Sequence, residues 1–265
     1  MTRLLSGVVL LAAVGSAAWF APAHWLLAVA VLVAVLAFSE LATLLAGLGA
    51  PVARPLGVVL TVAACIAAAV PQAPLLPVLL VALVFCAIAA VMGGEPDRGH
   101  VVGATALLFG TAYIGIPLGL LVNVHWIEGR ETAMLLLLTV IVSDSSQYYA
   151  GRAFGRHRLA PKISPKKTIE GALGGFAGAA VLMAWLGAAW LPHVPLAARV
   201  MLGCGLVALG IIGDLFESTL KRAAQVKDSS ALIPGHGGVL DRIDALLLAV
   251  PAYYVVLRYA WVAWR

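Results

Sequence analysis

Apolar stretches long enough to cross a lipid bilayer follow one another along almost the whole chain, separated by short polar joints. A span needs about 20 predominantly apolar residues. Runs of that size fall at roughly 4–22, 25–49, 52–71, 74–92, 101–122, 132–150, 171–191, 197–220 and 243–263. They are continuous rather than alternating, which predicts helices and excludes a β-barrel. The fold class expected is all-α: a polytopic transmembrane helical bundle of about nine spans, with cytoplasmic loops forming a polar cavity. Gly171 with Gly175, and Gly174 with Gly178, predict close packing of the seventh helix on a neighbour.

Composition agrees. The 265 residues are 63% apolar and 11% charged, with mean hydropathy +1.03, against about 45–50% and about 25% in a soluble domain. No soluble domain of useful size remains between the spans. The hydrophilic segments 151–170 and 221–242 hold ten of the 17 Lys and Arg residues. Two spans separate them, so they face one side, which the positive-inside rule makes cytoplasmic. The expected protein is multi-pass in the inner (plasma) membrane, with its N-terminus in, its C-terminus out and its active site facing the cytoplasm. Residues 1–23, with Arg3, an apolar core and Ala21-Pro22-Ala23, have the look of a signal peptide; a retained anchor is expected. The net charge of +5 would attract anionic lipid and nucleotides. No basic tract is interleaved with aromatics, so nucleic-acid binding is not expected. Cys65, Cys86 and Cys204 stand alone in apolar runs, which indicates neither zinc nor a disulfide framework.

The densest chemistry lies in Ser218–Asp244, STLKRAAQVKDSSALIPGHGGVLDRID. Lys221, Arg222, Lys227 and Arg242 stand beside Asp228, Asp241, Asp244 and the run Pro234-Gly235-His236-Gly237-Gly238. Cations can hold phosphate, carboxylates can hold a divalent metal, and Gly admits close approach of backbone to a bulky anion. That combination points to phosphoryl or nucleotidyl chemistry at a membrane surface. Upstream, Asp214, Glu217 and Ser218 share a helical face that Lys221 continues. Asp144 lies near the cytoplasmic end of the sixth span, on one face with Gln147 and Tyr148. A carboxylate at that depth costs about 2.5–3.5 kcal/mol, so it should line a polar cavity. Ser164-Pro165-Lys166-Lys167-Thr168 precedes Glu170-Gly171 at the start of the seventh helix, where Pro is expected to fix a turn and hydroxyls and amides offer donors to an anion. His236, without other His at ligand spacing, reads as a phosphate donor rather than a metal ligand. Asp214 and Asp241 are the best candidates for a divalent metal, with Asp144 and Asp244 in support, because Mg²⁺ prefers oxygen ligands and keeps waters. Glu40 is a further carboxylate inside an apolar run, with no role assigned.

Ser218, Lys221-Arg222, Lys227-Asp228, His236-Gly237-Gly238 and Asp241-Arg242-Ile243-Asp244 match, position by position, the signature of the CTP:phosphatidate cytidylyltransferases, or CDP-diacylglycerol synthases. The block from Ser164 to Gly171 is similar to a second block of that family. The resemblance is strong over 144–244 and weak before residue 100. It implies transfer of CMP from CTP to phosphatidate, giving CDP-diacylglycerol and pyrophosphate in phospholipid biosynthesis. It implies catalytic roles for Lys221, Arg222, Lys227, Asp228, His236 and Arg242. Ser164, Lys166, Lys167, Thr168, Gly237 and Gly238 would bind CTP, and Asp144, Asp214, Asp241 and Asp244 would hold Mg²⁺. K⁺ as a second cation and a homodimer are implied by the family alone. Residues 1–100 would then be transmembrane scaffold and 101–265 the catalytic region. One departure stands out: many relatives follow the first Asp with small residues, where this chain has Ser145-Ser146-Gln147-Tyr148. That leaves open a paralogue acting on another lipid phosphate. The rival enzyme is a CTP-dependent polyprenol kinase, which the complete signature argues against; the rival of another class is a transporter.

Overall fold

The computed structural model describes residues 15–16, 19–92, 98–232 and 237–260. Nine α-helices and one short hairpin account for most of them: α1 (Ala23–Gly47), α2 (Arg54–Ala69), α3 (Leu75–Val91), α4 (Arg98–Gly110), α5 (Ile116–Glu128), α6 (Arg130–Phe154), β1 (Arg158–Ala160), β2 (Ser164–Thr168), α7 (Ile169–Trp190), α8 (Leu196–Ala223) and α9 (Leu240–Val255). Each apolar run from the second onward coincides with a helix, and the first, 4–22, falls largely outside the described residues. Among the described residues, five stretches are long and apolar enough to cross a membrane: Ala23–Gly47, Arg98–Glu128, Ile169–Trp190, Leu196–Ala223 and Leu240–Ala260. Helices α2 and α3 have 16 and 17 residues. Helix α6 has 25, but its second half is polar.

Two local features depart from the expected plain helices. The stretch Arg98–Glu128 contains a π-turn at Thr111–Gly115, next to Pro117, which has no amide to donate to the preceding turn. The block expected as a turn at Ser164-Pro165 is instead strand β2, paired antiparallel with β1 through Arg158 opposite Thr168 and Ala160 opposite Ser164. The turn falls at Pro161-Lys162-Ile163. The fold is therefore nearly all-α. Pro165 is tolerated because the sheet has only two strands, so both are edges.

The chain divides into two compact units, Met1–Ile127 with Leu220–Ile243, and Glu128–Thr219 with Asp244–Arg265. Compactness therefore groups most of the signature segment with the N-terminal helices. A division near residue 100 is a functional expectation and is not the one compactness draws.

In the first unit, Phe38, Leu41, Leu107 and Ile114 are fully buried. Small residues let the helices approach: a Cβ at Gly57 would run into the Phe38 ring, and at Gly115 or Gly119 into backbone carbonyls of α2. Asn123 is buried and donates from Nδ2 to the Ala69 carbonyl at 3.1 Å, satisfying one polar group in an apolar core. Helix α3 buries only Ala82 and Cys86.

In the second unit, α7 lies against α6. Gly171 and Gly175 meet Gln147, while Gly174 and Gly178 meet Ser146. The neighbour anticipated from the paired glycines is thus α6. Helix α8 packs on α7 through Gly203 against Ala179 and Met183, and α9 meets α8 where Gly213 contacts the Asp244 backbone. Ala172, Ala179, Val207 and Ile211 form the shared core. Tyr253 is fully buried and donates to the Thr132 carbonyl at 3.0 Å, tying α9 to α6.

Candidate active site

The predicted site residues gather into two clusters, one in each compact unit. In the second unit, α6 supplies Asp144, β2 supplies Lys167 and α8 supplies Asp214 and Ser218. Lys167 Nζ lies 2.5 Å from Asp214 Oδ2, and Ser218 Oγ donates to Asp214 Oδ1 at 3.3 Å. Asp144 feels the charges of both Lys167 and Asp214, and accepts a hydrogen bond from Gln147 Nε2 at 3.1 Å. Gln147 also donates to Ser143 Oγ at 3.1 Å. One carboxylate thus pairs directly with the ammonium, and a second, on another helix, lies within electrostatic reach of both. The extended backbone of β2 explains part of this: Lys167 turns inward, half-buried, while Lys166 is exposed. Thr168 is the N-cap of α7, its Oγ1 accepting from Gly171 N at 3.1 Å. The Glu170 carboxylate accepts from the Arg156 and His157 amides and contacts His157 Nδ1 at 2.6 Å, closing the hairpin onto the helix start.

In the first unit, the signature segment folds around Asp241, in the first turn of α9. Asp241 Oδ1 accepts from Lys221 Nζ. Its Oδ2 accepts from Ser229 N at 3.0 Å, Ser229 Oγ at 2.8 Å and Gly238 N at 2.8 Å. Lys221, at the end of α8, is buried with it. Gly237 has φ of +79°, a region that favours glycine, and a Cβ there would press on Asp241. A Cβ at Gly238 would collide with Ser229 Oγ and the Glu40 carboxylate. Both glycines are thus required by close approach of the chain to carboxylates of the protein itself. Arg222 is exposed and donates to the Val226 carbonyl at 3.0 Å, while Lys227, Asp228 and Arg242 are exposed. His236 lies outside the described residues. Asp244 belongs to the second unit, where its Oδ1 accepts from Ala245 N at 2.7 Å.

Sequence reasoning gave Glu40 no role and passed over Ser229 and Ser230. The Glu40 carboxylate is buried and accepts from Ser229 Oγ at 2.9 Å, Ser230 Oγ at 2.6 Å, Val239 N at 3.0 Å and Leu240 N at 2.8 Å. The available signal was a carboxylate inside an apolar run, a functional pointer by default; its partners, nearly 200 positions away, were not readable. Asp214 pairs with Lys167, and Lys221, which helical spacing puts on the same face of α8 as Asp214, pairs with Asp241.

For a divalent metal, the donor chemistry of Asp144 and Asp214 fits. Both offer hard oxygens, few donors occupy them, and Lys167 already stands beside Asp214. Asp241 fits less readily, because Oδ2 already accepts three hydrogen bonds and Oδ1 faces Lys221. No group of three or more His, Cys, Asp or Glu side chains placed to hold a metal occurs among the described residues. Mg²⁺ needs only one or two carboxylates when water and substrate phosphates complete its shell.

A phosphatidate cytidylyltransferase of Haemophilus influenzae is 44% identical over 138 residues, 49% of this chain and 48% of that protein. One from Thermotoga maritima is 36% identical over 157 residues, 55% of this chain and 56% of that protein. One from Pseudomonas aeruginosa is 38% identical over 140 residues, 52% of each. The chain spans about half the length of the curated relatives it matches. The cytidylyltransferase family model matches residues 1–260, so the chain belongs to the cytidylyltransferase family.

Proposed function

We propose that this chain is a membrane nucleotidyltransferase that makes CDP-diacylglycerol and pyrophosphate from CTP and phosphatidate. The observation that carries the reading is the complete signature from Ser218 to Asp244, whose Lys221, Gly238 and Asp241 close into one hydrogen-bonded cluster. The names of the relatives support it.

The lipid phosphate oxygen is already anionic near neutral pH and needs no strong base. It attacks the α-phosphorus of CTP, and the bond from that phosphorus to the β-bridging oxygen breaks, pyrophosphate leaving with the electron pair. The task left to the protein is to neutralise two polyanions and hold them in line. Arg222, Lys227 and Arg242 are exposed cations suited to phosphate, with Lys221 behind them, its ammonium held by Asp241. Asp228 and His236 complete the reacting group. Ser164, Lys166, Lys167, Thr168, Gly237 and Gly238 would line the CTP side. Mg²⁺, which Asp144 and Asp214 would hold, would supply charge neutralisation on the transferred phosphoryl group. K⁺ is proposed as a second cation.

The same reading has about nine spans in the inner membrane, with the active site facing the cytoplasm. Residues 1–100 would act chiefly as scaffold, and the protein would work as a homodimer. The side chains of Leu76, Leu80, Val84 and Phe85 on α3, all exposed, suit contact with lipid.

Purified protein given labelled CTP, Mg²⁺ and phosphatidate should release pyrophosphate and form labelled CDP-diacylglycerol. Chelation should stop the reaction and Mg²⁺ restore it. Release of CDP with a phosphorylated lipid would identify a CTP-dependent kinase and end the proposal. A different lipid phosphate as acceptor is favoured by one observation: Gln147, where many relatives carry a small residue, donates to Asp144. A panel of lipid phosphates under the same conditions decides between the acceptors.

A further inference from the structure

We infer that Glu40 is a positioning residue for the nucleotide-handling signature segment, gripping it at Ser229–Ser230 and at Val239–Leu240 and acting from α1 without touching substrate. The inference rests on the functional reading above for what the segment does, and on geometry alone for what Glu40 does to it.

The carboxylate gathers four donors from that one segment: the hydroxyls of Ser229 and Ser230 and the amides of Val239 and Leu240. All four partners are neutral, so this is not an ion pair. Glu40 is 7% exposed, and a buried carboxylate persists when donors converge on it. The two amides open α9, whose first turns carry Asp241, Arg242 and Asp244. Those amides have no acceptor within their own helix, and a negative charge there also complements the helix dipole. Glu40 therefore sets both the end of the loop and the start of the helix that presents the signature carboxylates.

Ser229 links the two halves of the cluster. Its Oγ lies 2.9 Å from Glu40 Oε2 and 2.8 Å from Asp241 Oδ2, yet a hydroxyl has one proton to give. A change at Glu40 is thus passed to Asp241 by one side chain, and from Asp241 to Lys221. Gly238 supplies the room, since any side chain there would occupy the space between Ser229 and Glu40. Among the described residues, the Ser230 hydroxyl and the Val239 and Leu240 amides hydrogen-bond to α1 only through Glu40. The exposed cations Arg222 and Lys227, on the other flank of Ser229, would then lose their fixed position relative to α9.

The test uses the full chain in detergent. Glu40→Gln keeps the length but turns an amide NH₂ toward two of the four donors, and Glu40→Ala removes the acceptor altogether. At equal amounts of folded protein, CDP-diacylglycerol formation should fall about tenfold in Glu40→Gln and about 100-fold in Glu40→Ala, the scale of a small misplacement away from the reacting atoms. The KM for CTP should rise while that for phosphatidate holds, a split that a merely structural role would not produce. Tryptic cleavage after the exposed Lys227 should become faster in Glu40→Gln. If Glu40→Ala fails to fold, Glu40→Gln and the milder Ser230→Ala carry the test, each expected to speed that cleavage. Wild-type turnover, or an unchanged KM for CTP, or cleavage at the wild-type rate, in a folded Glu40→Gln protein would overturn the inference. Should the wild-type chain make no product, the functional reading falls, and the cleavage rates still decide whether Glu40 holds the segment.

Discussion

Asp214 and Asp241 each face a lysine, but the Asp241 side chain is 6% exposed and that of Asp214 36%. Asp241 takes four donors, two of them backbone amides, and its lysine is buried with it. Asp214 takes an ammonium and one long hydroxyl contact, with Asp144 close enough to be felt. The same residue pair is therefore a closed brace in one unit and an open, charge-rich site in the other. A carboxylate saturated by donors shapes the chain around it; one with free lone pairs and access to solvent has valence left for a ligand.

The comparison predicts opposite phenotypes for the same substitution. Asp241→Asn should lower stability by about 3–5 kcal/mol, because it removes the charge paired with a buried lysine, and turnover should fall with it. A thermal unfolding midpoint in detergent, read beside activity, checks this; an unchanged midpoint would contradict the closed brace. Asp214→Asn should leave that midpoint in place, within about 0.5 kcal/mol, while lowering turnover about 10²–10³-fold, the scale for removing one group that meets developing charge. Retention of near-wild-type turnover would remove Asp214 from the reaction. Gly238→Ala should cost about 1–3 kcal/mol through overpacking against Ser229 and Glu40; a neutral result in the same melt would mean the segment has slack. Smallest is Thr168→Ala, about 1 kcal/mol for loss of the α7 N-cap, with Thr168→Ser close to wild type. Equal melts for all three proteins would show that the cap is not engaged.

Much of this was legible from residue order. Helix positions followed from uninterrupted apolar runs, and close packing of α7 on a neighbour followed from glycines spaced one turn apart, while only the fold shows that neighbour to be α6. The signature residues were identified by their position-by-position resemblance to a family pattern. The strand at Ser164–Thr168 was not: prolines and lysines are poor strand formers, and only pairing with Arg158–Ala160 and the docking of Lys167 hold that backbone extended. Glu40 was visible as an anomaly but not as a function, since an isolated carboxylate carries no mark of which donors will meet it.

Residue order by itself determined that this chain is a helical protein of membrane character and carries the cytidylyltransferase signature, because periodicity, hydropathy and motif spacing are local properties. Only the tertiary structure decided which lysine meets which aspartate, and that Glu40 closes on a segment almost 200 residues away. Hydrogen bonds and ion pairs act over a few ångströms of space, and distance along the chain does not predict who will be within that reach.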